Sequence, residues 1–172
     1  MHRFLILASI IVAVAVATAL PARATATTAT FTLTAGALSI SSPAGAVAIG
    51  APQVASTSAR TFTGLLGTVT VTDERGGATA WVASVISTAF VPVPANTAVP
   101  AINVSYAAGT VTVSALVTAA KPVTTDLTGV SPIVNGTSTG LSTASWNPTI
   151  TVLVPANFAP GVYSGTITHS AA

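Results

Sequence analysis

The chain has 172 residues, 51% of them hydrophobic and only 5% charged, with no cysteine. Two of its basic residues, Arg3 and Arg23, lie near the N-terminus; over residues 25–172, Arg60, Arg75 and Lys121 balance Asp73, Glu74 and Asp126. With no basic patch to neutralise phosphates, nucleic acids and anionic membrane surfaces are excluded as partners, and the lack of cysteine excludes thiolate metal sites and a lipid-modified N-terminal cysteine.

Residues 1–24 read as an export signal. His2 and Arg3 precede an uncharged apolar run over residues 4–19, Leu20-Pro21 end it, and Ala22-Arg23-Ala24 supplies a small-x-small cleavage pattern. The run is shorter than the ~20 residues of a spanning helix, which argues against a retained anchor. A cut after Ala19 would leave Leu20-Pro21 at the new terminus, so cleavage is placed after Ala24. The expected product is residues 25–172, one secreted β domain with no membrane segment left, in which residues 25–29 form a leader.

From there the chain reads as strands. Residues 30–34, 38–41, 67–72, 81–86, 110–114, 149–154 and 163–168 alternate apolar and polar side chains or run in Val and Thr, the pattern of half-buried strands. Ser42-Pro43-Ala44-Gly45, Arg75-Gly76-Gly77, Ala108-Gly109, Asn135-Gly136 and Ala159-Pro160-Gly161 are turn signals between them. Residues 92–100 and 131–145, rich in Gly, Ser, Thr, Pro and Asn, read as long loops. With no helical period, the expected fold is all-β: an antiparallel β-sandwich or barrel, Greek-key-like.

Groups able to do chemistry are few. Residues 25–172 hold one histidine, His169, and three carboxylates. Asp73 and Glu74 are adjacent, so in an extended segment they point to opposite faces and cannot act as a facing pair. The expectation is therefore no catalytic residue, no metal site and no cofactor. Asn103-Val104-Ser105 and Asn135-Gly136-Thr137 match the glycosylation acceptor pattern, which a Ser/Thr-rich chain produces by chance. Trp81 opens a strand and reads as core, with a sugar-stacking surface as the alternative; for Trp146, beside a loop, both readings stay open.

Val71-Thr72-Asp73-Glu74-Arg75-Gly76-Gly77 followed by Trp81 resembles the first motif of WxL domains, in which a threonine-aspartate-x-arginine-glycine turn leads into a Trp-x-Leu strand. Trp146-Asn147-Pro148 with the strand after it, then Gly161-Val162-Tyr163-Ser164-Gly165, resembles the end of such a domain. With Phe31-Thr32-Leu33 near the start, the resemblance covers most of residues 29–172. Two departures stand out: Ala83 replaces the first motif's leucine, and His169-Ser170-Ala171 occupies the place of the second Trp-x-Leu. The resemblance implies a secreted protein of Gram-positive bacteria, held noncovalently to the cell wall through peptidoglycan beside other surface proteins. On that basis Trp81, Trp146 and Tyr163 are candidate contacts to peptidoglycan or another wall glycan. Asp73, Arg75 and Gly76 would brace the turn, and an exposed ion pair there would contribute at most about 1 kcal/mol. A second hypothesis is a structural surface protein that assembles with itself or a partner through strand edges.

Overall fold

The computed structural model describes residues 25–114, 117–120 and 126–172; the expected export signal, its cleavage site and Lys121 lie outside the described residues. The chain divides into two units, Met1–Leu33 and Thr34–Ala172. In the first, residues 25–33 carry no regular secondary structure, and Phe31 and Leu33 are 93% and 88% exposed. The strand expected over residues 30–34 is therefore absent. Its alternation is real, but no neighbouring strand pairs with it, and a strand without a partner is not stable in water.

The second unit is all-β and sandwich-like. Its strands are β1 (Leu38–Ser41), β2 (Arg60–Leu65), β3 (Val69–Asp73), β4 (Thr79–Ser87), β5 (Val91–Val93), β6 (Val104–Ala107), β7 (Val111–Val113), β8 (Val117–Ala120), β9 (Ser131–Ser138), β10 (Ser142–Trp146), β11 (Thr149–Val154), β12 (Val162–Ser164) and β13 (Ile167–Ala171), with one 3-10 turn at Ala101–Asn103. Among the described residues these strands pair antiparallel in four sheets: β1-β3-β10-β7, β2-β11-β6, β13-β4-β9-β8 and β12-β5.

Chain continuity groups these ladders into two layers. In the first layer, β2, β11 and β6 run on into β3, β10 and β7, so one set of long strands is broken midway. In the second, β5 and β12 extend β4 and β13 in the same way. The chain passes from one layer to the other between β3 and β4, between β7 and β8, and between β9 and β10. The first layer breaks where Asn147-Pro148 faces Leu66-Gly67. Pro148 has no N–H to give the ladder. Its carbonyl accepts from Leu66 N (2.9 Å), and the Asn147 side-chain carbonyl accepts from Gly67 N (3.0 Å).

Alternation sets what is buried. Val69 and Val71 of β3, Trp81, Ala83 and Val85 of β4, Ala144 and Trp146 of β10, and Ile150 and Val152 of β11 point between the layers and form the core with Val104, Tyr106, Ile133 and Val134. The Thr and Ser residues between them face outward or lie part-exposed.

Several expectations are corrected. Residues 131–145 are no loop: β9 and β10 occupy most of the segment, and Asn135-Gly136 lies inside β9 instead of at a turn. Gly136 is there because a Cβ would overlap the Trp81 indole, so a residue that usually marks a turn here makes room for an aromatic ring. A register shift at Ala83/Ser84 places Ile133 and Val134 in the core together. The strand expected over residues 163–168 is two strands separated by Gly165-Thr166, where the Phe90 ring packs against Gly165. The segment 92–100 is shorter as a loop than expected, since β5 reaches Val93 and Val99 bridges to Phe90. Strands β2, β6 and β8 were not anticipated.

Candidate functional site

Three features carry the polar and concave parts of the domain. The first is the turn between β3 and β4. Asp73 ends β3 on its inward face and is 1% exposed. Arg75 reaches back to it in bidentate fashion, Nε to Oδ1 and Nη2 to Oδ2, both 3.0 Å. Arg75 N donates to Oδ1 (3.1 Å), Thr79 Oγ1 to Oδ2 (3.0 Å), and Arg75 Nη2 also to the Ala80 carbonyl (3.1 Å). Gly76 and Gly77 follow with φ of 74° and 75°, left-handed values that favour glycine, and so let the chain turn back toward Thr79.

This carboxylate is not the exposed partner of a surface pair. The Arg75 guanidinium holds it well below the usual carboxylate range against the opposing effect of burial, with help from the Arg75 amide, Thr79 and Ser138. Ser138 Oγ accepts from Trp81 Nε1 (3.1 Å) and Ser142 Oγ (2.8 Å). With both lone pairs used, its own proton is available to Asp73. The charged turn, both ends of the β9–β10 connection and the Trp81 indole thus form one hydrogen-bonded unit.

The second feature is a buried relay. Trp146 Nε1 donates to Tyr106 Oη (2.7 Å), which lies 3.1 Å from His169 Nε2. The indole can only donate, so the Tyr106 proton is free to go to Nε2, leaving His169 protonated at Nδ1. That Nδ1 is buried without a partner among the described residues. Burial lowers the His169 pKa and raises that of Tyr106, so both stay neutral near pH 7. The rings meet edge to face, 5.6 Å between centroids.

The third feature is a cleft of about 870 Å³ at the open end of the sandwich. Phe62, Val152 and Val154 line it from the first layer, Phe90, Val99 and Ile167 from the second, and residues 42–52 run over it without joining a ladder. Gly50 and Ile49 come close to Gly64 of β2. Among the described residues none that lines the cleft is charged, and His169 is the one histidine there. The cleft runs along β12 and β13, which among the described residues pair with β5 and β4 respectively, with β1 lying near β13.

No known protein family, curated protein or solved structure matches this chain.

Of the residues singled out from sequence, Trp81 and Trp146 are each 2% exposed. Neither presents a ring face to solvent, so the sugar-stacking role is withdrawn for both: each indole is packed between the layers with its N–H satisfied inside. Tyr163 lines the cleft, half-buried, donating to the Ala159 carbonyl (2.8 Å) with its ring 6.4 Å from that of Phe158. Asp73, Arg75 and Gly76 form the turn as expected, but around a buried carboxylate. Sequence reasoning missed Ser138, Ser142 and Tyr106. The serines sit in a stretch too small and polar to signal a core, whereas Val104-Ser105-Tyr106 did offer a short alternation. Among the described residues no cluster of His, Asp or Glu is arranged to hold a metal, and no helix is long and apolar enough to cross a membrane.

Proposed function

We propose that residues 25–172 act at the bacterial cell surface as a noncatalytic module held noncovalently to the cell wall. The observation that supports this reading is the unity of the charged turn. Asp73, Arg75 and Gly76, on which the likeness to WxL domains rests, close onto the Trp81 strand through Ser138. The chain is neutral over this stretch, so retention relies on short-range contacts rather than on attraction to anionic wall polymers. Such binding depends weakly on salt, since screening acts on ion pairs as the Debye length falls from ~10 Å at 0.1 M to ~3 Å at 1 M. Purified residues 25–172 are expected to co-sediment with protein-free peptidoglycan at both salt concentrations and to release no soluble sugar or peptide. No sedimentation at either salt rejects wall binding; release of fragments rejects the noncatalytic reading.

A second reading, binding to another surface protein through strand edges, is favoured by the cleft. An uncharged apolar trough beside β12, which pairs only with β5 among the described residues, offers little to a sugar and suits an extended peptide, which supplies backbone hydrogen bonds and alternate side chains together. Sedimentation with walls that keep their proteins, but not with stripped walls, supports this reading; equal behaviour on both counts against it.

A further inference from the structure

The outer face of β1, β3, β10 and β7 is built from one kind of side chain. Every position of these strands that points away from the core is serine or threonine. The pairing register sets them in rows across the strands. Ser41, Thr70, Ser145 and Thr112 form one row, and Ser39, Thr72 and Thr143 form the next. Neighbours in a row stand about 4.8 Å apart, and the rows about 6.8 Å apart. None of these side chains is buried, and none of their hydroxyls hydrogen-bonds another group among the described residues.

Solubility alone does not produce this pattern. On the outer face of the second layer, β4 carries Ala80, Val82, Ser84 and Ile86, which interrupt any such array. Over β2, β11 and β6 the first layer again bears hydroxyls, but they serve one another. Thr63 Oγ1 lies 3.3 Å from Thr151 Oγ1, and Ser105 Oγ donates to the Thr151 carbonyl (3.5 Å). Leu65 and Leu153, both exposed, break that part of the face.

The chemistry of the array selects its ligand. A hydroxyl bond made in exchange for water is individually weak, so binding needs several at once from a ligand that repeats in step with the strands. Threonine sets a methyl beside its hydroxyl, which suits a ring whose hydroxyls alternate with C–H groups. No side chain of the face is charged, so a phosphate or carboxylate pressed against it would lose water without gaining a counter-ion. An uncharged polysaccharide meets these requirements. A β-1,4-linked strand of amino sugars, in its extended form, advances per sugar by a step close to the strand spacing. Laid along the four-membered row, it meets a hydroxyl at each sugar over roughly 14 Å.

Resting on the wall-binding reading, we propose that the outer face of β1, β3, β10 and β7 is the glycan site. It takes the neutral sugar backbone of the wall, not its stem peptides or its anionic polymers. The glycan crosses the sheet along Ser41, Thr70, Ser145 and Thr112, with Ser39, Thr72 and Thr143 flanking it. The buried tryptophans take no part, so no exposed aromatic ring is required.

Chitin is the probe, since it is a neutral β-1,4-linked amino-sugar polymer with neither peptide nor phosphate. Purified residues 25–172 should sediment with chitin as well as with protein-free peptidoglycan, and soluble chitohexaose should compete for both. Thr70→Val/Thr72→Val/Ser145→Ala preserves side-chain shape and removes three hydroxyls. It should weaken binding roughly tenfold or more with an unchanged melting temperature. Thr168→Val/Ser170→Ala, on the outer face of β13, should bind as wild type does. If the triple variant does not fold, backbone amide shifts of the wild-type chain on titration with chitohexaose decide the matter: they should cluster on β1, β3, β10 and β7. A folded triple variant that binds as tightly as wild type, or shifts clustered elsewhere, overturns this face as the site while wall binding stands. Sedimentation with peptidoglycan but not with chitin overturns the sugar backbone as ligand, again leaving wall binding intact. Binding to neither polymer overturns both.

Discussion

Gly136 lies directly across the ladder from Trp81, and the indole occupies the space a side chain at position 136 would need. The ring covers the glycine backbone while its N–H reaches Ser138 two residues along the same strand. One aromatic residue thus seals the middle of β9 and ties it to the charged turn.

Gly136→Ala is therefore expected to destabilise the domain by about 1–3 kcal/mol, the range for overpacking a filled core. Trp81→Ala removes the ring and should lower stability by about 3–5 kcal/mol. Urea unfolding of both variants checks this. A Gly136→Ala protein as stable as wild type would mean that the indole does not rest on that backbone.

Because Asp73 is buried, Arg75→Ala should lower the melting temperature well beyond the loss of a surface pair, since it leaves a carboxylate inside without its main partner. Asp73→Asn keeps the shape but removes the charge, and should lower stability by about 1.5–3 kcal/mol. Arg75→Lys, unable to bond in bidentate fashion, should fall between Arg75→Ala and wild type. Melting temperatures indistinguishable among the three proteins would return the pair to the surface class.

Acid should lower the stability of the domain over two separate pH windows. His169 has a lowered pKa in the fold, so between its ordinary value of 6.5 and that lowered value the unfolded chain binds more protons. Stability is fully present above this window and declines as pH falls through it. His169→Gln should flatten that portion of a stability–pH curve. Asp73 is likewise depressed from its ordinary 3.8, so its contribution is present above that value and fades as pH falls below it. A flat wild-type profile between about pH 7 and 5 would count against a neutral, half-buried His169.

Both tryptophans should emit as indoles shielded from water. In Trp146→Phe, which leaves Trp81 alone, the emission maximum should stay at short wavelength until the protein unfolds. Emission typical of hydrated indole in the folded state would reopen the sugar-stacking role.

Processing is checked by intact mass. The secreted protein should match residues 25–172; a cell-associated product that keeps residues 4–19 would contradict the proposed export signal.

The all-β class was legible because β-branched apolar residues alternate with Thr through β3 and through residues 149–152 of β11, where one face meets core and the other lies part-exposed. It failed in both directions elsewhere. Residues 30–34 have the right period but no partner, and period reports only on a segment's faces, never on what lies beside it. In β9, Pro132, Asn135 and Gly136 mask a strand whose place is set by the Trp81 ring and a register shift, both properties of its neighbour. The turn residues Asp73 and Arg75 were readable as a pair, but the depth of Asp73 was not, since it follows from Ser138 and Thr79 closing over it. The cleft had no sequence signature, because residues far apart in the chain line it.

The interruption at Asn147-Pro148 and Gly67 has a dynamic consequence. It splits the first layer into two short ladders, one bound up with the Asp73 and Trp81 hydrogen bonds and the other bordering an open trough. Such halves need not open together. Amide protons of β3, β4 and β10 should then exchange with solvent last, near the global unfolding limit. Those of β2 and β12 should exchange first, through excursions that leave the other half intact, so that the chain keeps a rigid end and a yielding one.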